Sequence, residues 1–258
     1  MIDIHSHILP GLDDGSRSME ETVELLKIAR EAGTEIIVAS PHSDSEYTYD
    51  PEQVDELIAE AQALAGDGIR IVRGCDFHLM FSNVNAALEN PKHYTINRGP
   101  YILMELSNMM IFPNTGDIWR QLESVGLRII LTHPERNQIL QKKFEQIEKW
   151  VGDGFYMQVT AQSLLGMFGN TANKIAVRML DKGLVHFVAS DGHDPVGRPP
   201  RLDLAYQWVT ERYGNELAEL LFVVNPRAAV HGGYVDFDVP KSERSGPGGF
   251  LGRLFGRS

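Results

Sequence analysis

The chain has 258 residues, 43% of them hydrophobic and 23% charged, with a formal net charge of -11. That length suits one α/β barrel, commonly of about 250 residues, while the acidic balance speaks against a general nucleic-acid binder, because phosphate backbones recruit basic surfaces. No apolar run nears the roughly 18 or more residues of a membrane span, the opening MIDIHSHILP does not read as a signal peptide, and the one cysteine, Cys75, leaves no intramolecular disulfide framework, so a cytoplasmic location is expected.

Short β-branched runs alternate with amphipathic stretches from the first residue onward. Met1–Ile4 is the first predicted strand. Ser18 and Glu21 then form a capping box, Val23, Leu26 and Ala29 give an apolar face, and Gly33 stops the helix. The strand Glu35–Ala39 precedes a second helix signalled by Asp50-Pro51 with Gln53. Val54, Leu57, Ile58, Ala61 and Leu64 share one face of it. Strands Ile69–Arg73 and Tyr101–Leu106 follow. Ile118, Leu122 and Val125 mark a helix ending at Gly126, before strand Arg128–Thr132. Phe144, Ile147 and Val151 mark another ending at Gly152, before strand Phe155–Val159. Ile175, Met179 and Leu180 end at Gly183, before strand Val185–Ala189. Leu204, Trp208 and Val209 lead to a last helix near Asn215–Val224.

Seven strands alternating with helices on short connections predict a parallel sheet. The unit count fits a closed or nearly closed (β/α)7 barrel, with an open doubly wound sheet as the rival. Beyond residue 239 the composition turns to Gly, Ser and Arg, so residues 1–239 read as one barrel domain and 240–258 as a tail.

The strand ends carry the chemistry. The first ends in His5-Ser6-His7, the second in Pro41-His42, the third in Asp76, the fourth near Glu105, the fifth in His133 and the seventh in Asp191-Gly192-His193. Active sites of α/β barrels form at these ends. His-x-His on an extended chain turns both imidazoles to one side, and imidazoles backed by carboxylates suit divalent transition metals. With Asp14, these nine residues exceed what one ion can use, whereas two or three ions with bridging carboxylates would use them all. Clustered cations are a recurring solution for phosphoryl chemistry. Arg136 and Arg198 stand beside these residues, and a guanidinium fork matches phosphate oxygens. The expected reaction is hydrolysis of a phosphate monoester by metal-activated hydroxide. A phenolate leaving group, with a conjugate-acid pKa of about 10, demands no strong general acid.

Plainer readings stand beside these. His93, His186 and His231 read as packed or surface residues, with His186 facing the helix layer. His78 shares strand parity with Asp76 and is a candidate for the pocket wall. Asp13 and Asp14 compete for one role, since either could bind backbone in the turn before Gly15. Glu135 and Arg136 could form a surface ion pair, and Arg198 could staple its loop. A cysteine phosphatase would need an arginine six positions after its nucleophile, and Phe81 stands there after Cys75. Neither a GxGxxG fingerprint nor a Walker A sequence is present.

The segments MIDIHSHILPGLDDG (1–15), Ser40-Pro41-His42, MELS (104–107), THPER (132–136), SDGH (190–193), GRPP (197–200) and Asn225-Pro226-Arg227 resemble the polymerase-and-histidinol-phosphatase (PHP) superfamily. Their nearest likeness is to its bacterial protein-tyrosine-phosphatase branch of capsule and exopolysaccharide control. The resemblance implies a distorted seven-stranded barrel with three divalent ions, manganese favoured over iron, zinc or magnesium. His5, His7, Asp76 and Asp191 would hold the first ion. Asp76 would bridge to a second held by Glu105 and His133, and Asp14, His42 and His193 would hold the third. Arg136 and Arg198 would grip phosphate. The implied partner is an autophosphorylating tyrosine kinase of polysaccharide export. Where the branch usually has glutamate this chain has Asp76, one methylene shorter, so the ion separation or the strand position must adjust.

Two rival functions stay open on the residues alone: a small-molecule phosphatase of the histidinol-phosphatase type, and an inactive metal-binding regulator. Met109, Met110, Ile111 and Phe112 could pack a phenyl ring or belong to the core. The tail sets Lys241, Arg244, Arg253 and Arg257 against Glu243 and adds Phe250, Leu251, Leu254 and Phe255. It reads as a passive terminus or as a weak anchor to anionic lipid or a membrane-bound kinase.

Overall fold

Nine strands and ten α-helices follow one another along residues 1–239, which are the residues the computed structural model describes; the expected tail lies outside them. In chain order the strands are β1 (Ile2–Ser6), β2 (Ile36–Ala39), β3 (His42–Ser43), β4 (Arg70–Arg73), β5 (Asp76–His78), β6 (Tyr101–Glu105), β7 (Arg128–Thr132), β8 (Tyr156–Thr160) and β9 (Phe187–Ala189). The helices are α1 (Met19–Glu31), α2 (Pro51–Ala65), α3 (Phe81–Glu89), α4 (Thr115–Ser124), α5 (Phe144–Gly152), α6 (Ala161–Leu164), α7 (Gly169–Asp181), α8 (Asp203–Tyr213), α9 (Asn215–Glu219) and α10 (Asn225–Val230).

The caps explain the clearest boundaries. The Ser18 side chain accepts the Glu21 N–H, and Asp50 accepts from Glu52 and Gln53. The Glu21 carboxylate does not complete the expected reciprocal box. It takes the Arg17 backbone N–H at 2.7 Å and the Arg17 guanidinium at 2.8 Å instead. Helix α3 was not expected from sequence: Met80 precedes it without a side-chain cap, and Phe81 at its start is exposed.

All strand pairs are parallel, in two sheets ordered β1-β2-β4 and β3-β5-β6-β7-β8-β9. The expected parallel α/β architecture is present, but nine strands replace the expected seven and no closed ring of pairing is observed among the described residues. The difference has a local cause. The expected strands Glu35–Ala39 and Ile69–Arg73 correspond to β2 and β4; beyond Pro41, which has no N–H to donate, pairing resumes at His42, and beyond Gly74 and Cys75 it resumes at Asp76, which adds β3 and β5. At Gly74 a Cβ would lie 2.4 Å from Val38 Cγ1, so only glycine fits that approach. Backbone bonds carry the pairing through the breaks, from the Gly74 N–H to the Ala39 carbonyl and from the Asp76 N–H to the Pro41 carbonyl. On the other side an isolated parallel bridge joins Ser6 to Gly192.

Alternation along the strands separates two apolar clusters. Ile102 and Met104, Ile129 and Leu131, and Met157 and Val159 enter the larger one, against the helices. Leu103, Ile130, Tyr156, Phe187 and Ala189 enter the smaller one, together with Ile96, Val230 and Val235. Each fully buried aliphatic side chain contributes about 1.5–3 kcal/mol. One step further along the smaller cluster's face stand Glu105, Thr132 and Gln158. The same strand parity that builds the core therefore turns polar side chains into one place at the strand ends.

Candidate active site

His5, Glu105, His133, Asp191 and His193 lie at or just beyond the carboxyl ends of β1, β6, β7 and β9, His7 and Asp14 follow β1, and His42 and Asp76 open the short strands β3 and β5. His5 and His7 come together first: their Nε2 atoms are 3.1 Å apart. Asp76 Oδ2 lies 3.4 Å from His5 Nε2 and 3.3 Å from His42 Nδ1. His42 Nδ1 is in turn 3.6 Å from Glu105 Oε2. His42 Nε2 and His193 Nε2 face Asp14 Oδ1 at 3.5 and 3.4 Å. His133 Nε2 lies 3.8 Å from Glu105 Oε1. Three sets of side chains converge closely enough to share an ion: His7, Asp14, His42 and His193; His5, His7 and Asp76; and His42, Asp76 and Glu105. Asp76 belongs to two of them, so the shorter carboxylate still stands between two groups.

The donor set fits divalent ions on two observations. Asp76 Oδ2 and His42 Nδ1 are buried and have no hydrogen-bond partner, although buried polar atoms normally do. Electrostatics asks for positive charge at the same place. Burial pulls His5 down, yet Asp76 and Asp191 push it up to about 9. Burial likewise opposes protonation of His42, but the carboxylates of Asp14, Asp76 and Glu105 raise it to about 12. Burial would raise Asp76 itself, and His5 and His42 hold it well below the ordinary carboxylate range. His133 differs, since burial and Arg136 lower it to about 4, which leaves a neutral imidazole lone pair at pH 7.

Asp191 divides its two oxygens. Oδ1 faces His7 at 3.4 Å and both His5 and His193 at 3.6 Å. Oδ2 receives the guanidinium of Arg136 and that of Arg198, the latter at 2.5 Å. Both arginines are therefore at the site, and each keeps about a quarter of its side chain exposed. Phe168 supports them, with the Arg136 guanidinium carbon 4.2 Å from its ring centroid and that of Arg198 5.7 Å away. The surface ion pair considered for Glu135 and Arg136 does not form. Glu135 is fully buried and accepts from the Thr160 N–H at 3.0 Å and the Ser163 hydroxyl at 2.7 Å.

Backbone strain collects here as well. Among the described non-glycine residues with positive φ, His133 (33°) and Asp191 (52°) both belong to the cluster. Such conformations cost on the order of 1–3 kcal/mol each and concentrate at functional sites. The Asp191 N–H is held by the His5 carbonyl at 2.9 Å, and the His7 N–H by the Gly192 carbonyl at 2.8 Å. Two glycines permit the packing: a Cβ on Gly15 would lie 2.1 Å from the His7 carbonyl oxygen, and one on Gly192 would lie 2.7 Å from Pro200.

The Asp13–Asp14 question resolves into two roles. Asp13 Oδ2 takes His7 Nδ1 at 2.6 Å and the His42 N–H at 3.1 Å, while its Oδ1 takes the Gly15 N–H at 2.9 Å. Asp14 faces the imidazoles. Asp13 thus orients a histidine whose other nitrogen points into the cluster. Gln158 does the same for His5, with Oε1 2.9 Å from Nδ1. Sequence reasoning missed Gln158; its signal is a lone amide within the apolar strand YMQVT. Phe168 carried no signal. His78 is at the pocket wall, its Nδ1 3.4 Å from Glu105 Oε2. His186 packs away from the site as expected, though against Tyr156 and Phe237 rather than a helix. His93 meets the rings of Tyr49 and Tyr94 edge-to-face, and His231 is exposed.

Residues 1–231 match the family described as Capsular polysaccharide synthesis, CpsB/CapC. CapC of Staphylococcus aureus is 34% identical over 203 residues, covering 77% of this chain and 79% of that protein. The tyrosine-protein phosphatase YwqE of Bacillus subtilis is 30% identical over 233 residues, covering 86% of this chain and 88% of its own. A crystal structure from work on YwqE and on CpsB of Streptococcus pneumoniae, described as unique metal-dependent tyrosine phosphatases, superimposes with a TM-score of 0.86. It is 26% identical and covers 94% of this chain and all of that one. With that overlap from the first residue onward, and with the PHP-type cluster at the strand ends, the chain belongs to the CpsB/CapC family.

Proposed function

We propose that this protein is a metal-dependent protein-tyrosine phosphatase, in which residues 1–239 act as one phosphoesterase unit. The observation that carries the reading is the convergence of His5, His7, His42 and Asp76, with Asp76 Oδ2 and His42 Nδ1 buried and unpartnered. His5, His7, Asp76 and Asp191 would hold a first ion, Glu105 and His133 a second bridged by Asp76, and Asp14, His42 and His193 a third. His7 and His42 each reach toward a second group, which favours shared rather than isolated sites. Manganese is the first candidate and iron, zinc or magnesium the alternatives. When bound, such ions neutralise phosphate charge and acidify a coordinated water towards a pKa of about 7.

The chain's own residues supply the rest. Arg136 and Arg198 present partly exposed guanidiniums beside the cluster, where an incoming phosphoryl group would exchange with Asp191 for their donors. Asp13 and Gln158 fix the orientation of His7 and His5. The two sheets, joined through the breaks after β2 and β4 and by the Ser6–Gly192 bridge, would act as one distorted seven-stranded barrel that brings these ends together. The substrate is a phosphotyrosine protein, with an autophosphorylating tyrosine kinase of capsule or exopolysaccharide synthesis as the partner the family suggests. Among the described residues no helix is long and apolar enough to cross a membrane, and the work would be done in the cytoplasm.

A substrate panel tests this: a phosphotyrosine peptide, a phosphoserine peptide and histidinol phosphate, each with Mn²⁺ present and then chelated. The expected result is metal-dependent turnover of the first well above the others. Preferential turnover of histidinol phosphate would replace the tyrosine reading with a small-molecule one.

A further inference from the structure

Beside the metal cluster the surface changes character. Met109 is 93% exposed and Phe81 82%, with Met110 and Phe112 also exposed. Together with Leu79 and Ile111 they line a cleft of about 610 Å³. The residues belong to the chain just beyond β5 and β6, the strands that deliver Asp76 and Glu105. His78 lies in the same wall, 3.4 Å from Glu105, so the cleft opens directly beside the site. Folding alone does not account for these side chains, because exposed large apolar residues gathered in one patch mark interaction surfaces.

We propose that this cleft receives apolar side chains flanking the phosphotyrosine of the protein substrate, and so selects among tyrosine contexts. The inference rests on the phosphatase reading and adds a sequence preference to it. Volume favours more than one phenol ring, since clefts of roughly 300–1,000 Å³ take whole drug-sized ligands. Methionine suits the task because its unbranched, polarizable side chain adapts to varied apolar partners and to aromatic rings. Charge sets the other half of the preference. Asp44 stands in the lining, Glu105 lies behind His78, and neither Lys nor Arg lines the cleft. Acidic flanking residues would meet Asp44 with no lysine or arginine to offset it, whereas apolar ones would be removed from water.

The test compares three phosphotyrosine peptides that differ only in the residues beside the tyrosine, which are Leu and Phe, Ser, or Asp. The metal-loaded protein should favour the apolar peptide over the serine peptide by about tenfold in kcat/KM, as burial of one large side chain allows, and should use the aspartate peptide least. In the double variant Met109→Ser/Phe81→Ser, both changes being on exposed side chains, the apolar preference should shrink to within about twofold. Fluorescence binding of the unphosphorylated apolar peptide, which needs no hydrolysis, should weaken in parallel. Equal use of all three peptides by the wild type, or a preference that survives the double variant, overturns the proposal. So does a wild-type dimer that dissociates in the variant, since the cleft would then hold a second copy of the chain. If no peptide is hydrolysed but the unphosphorylated one still binds in a variant-sensitive way, the phosphatase reading fails and the cleft assignment survives.

Discussion

His5 and His186 are both fully buried and lie at opposite ends of the same parallel strands, His5 near the carboxyl end of β1 and His186 just before β9. Carboxylates surround His5 and raise it to about 9 despite burial. His186 packs between Tyr156 and Phe237, accepts the Met157 N–H at 3.0 Å, and is lowered by burial to about 3. Residue type and burial are shared, so the difference comes from what the strand ends supply. One end supplies Asp76, Asp191 and Glu105, and the other supplies Tyr101, Tyr156 and Val235. A buried imidazole among carboxylates waits for positive charge, while one among aromatic rings is a packed neutral group.

The comparison breaks most severely if the carboxylate end is disarmed. His5→Ala or Asp191→Ala should take hydrolysis of an aryl phosphate to background and lower the metal content measured on the purified protein. Unchanged stoichiometry and activity in both variants would contradict the shared-ion arrangement. Asp13→Asn leaves the ligand His7 in place but weakens its orientation. Metal affinity, read by chelator competition, should fall by about 10–100-fold, and an unchanged affinity would reduce Asp13 to a turn residue. Arg136→Ala and Arg198→Ala should each raise KM for a phosphotyrosine peptide about tenfold, as loss of a charged hydrogen bond implies. Their metal content should stay intact, and loss of metal instead would make them supports of Asp191.

The opposite end gives a stability prediction with a definite sign. Because the folded-state value of His186 is depressed, the unfolded chain takes up a proton below about 6.5 that the folded chain refuses down to about 3. The stability this neutral packing leaves at pH 7 should therefore be lost as pH falls through that window. Between pH 7 and pH 5 the group should cost about 2 kcal/mol. Urea unfolding of wild type and His186→Asn at both values checks this: the variant should lose less on acidification, and equal losses would refute the assignment.

The carboxyl-end cluster was legible because strand alternation and His-x-His spacing are local signals that survive without tertiary context. Its breaks were not. Whether Pro41 and Gly74 end a strand or only interrupt it depends on bonds to Ala39 and to β5 partners far away in sequence. On the residues alone the choice between Asp13 and Asp14 was equally out of reach, since both are loop carboxylates and only the folded turn shows which one meets His7; the choice of Asp14 came from the family resemblance. Gln158 and Phe168 act through residues on other strands and loops. The apolar run Met109–Phe112 allowed either core or surface; Met109, Met110 and Phe112 are exposed, while Ile111 packs against the larger core cluster.

Stepwise return of Mn²⁺ to chelated protein, with bound metal and phosphate release from a phosphotyrosine peptide followed in the same sample, tests the central claim most directly. Activity should be absent without metal and rise with the ions bound until the cluster is filled. Full phosphotyrosine hydrolysis by the metal-free chain would contradict the account.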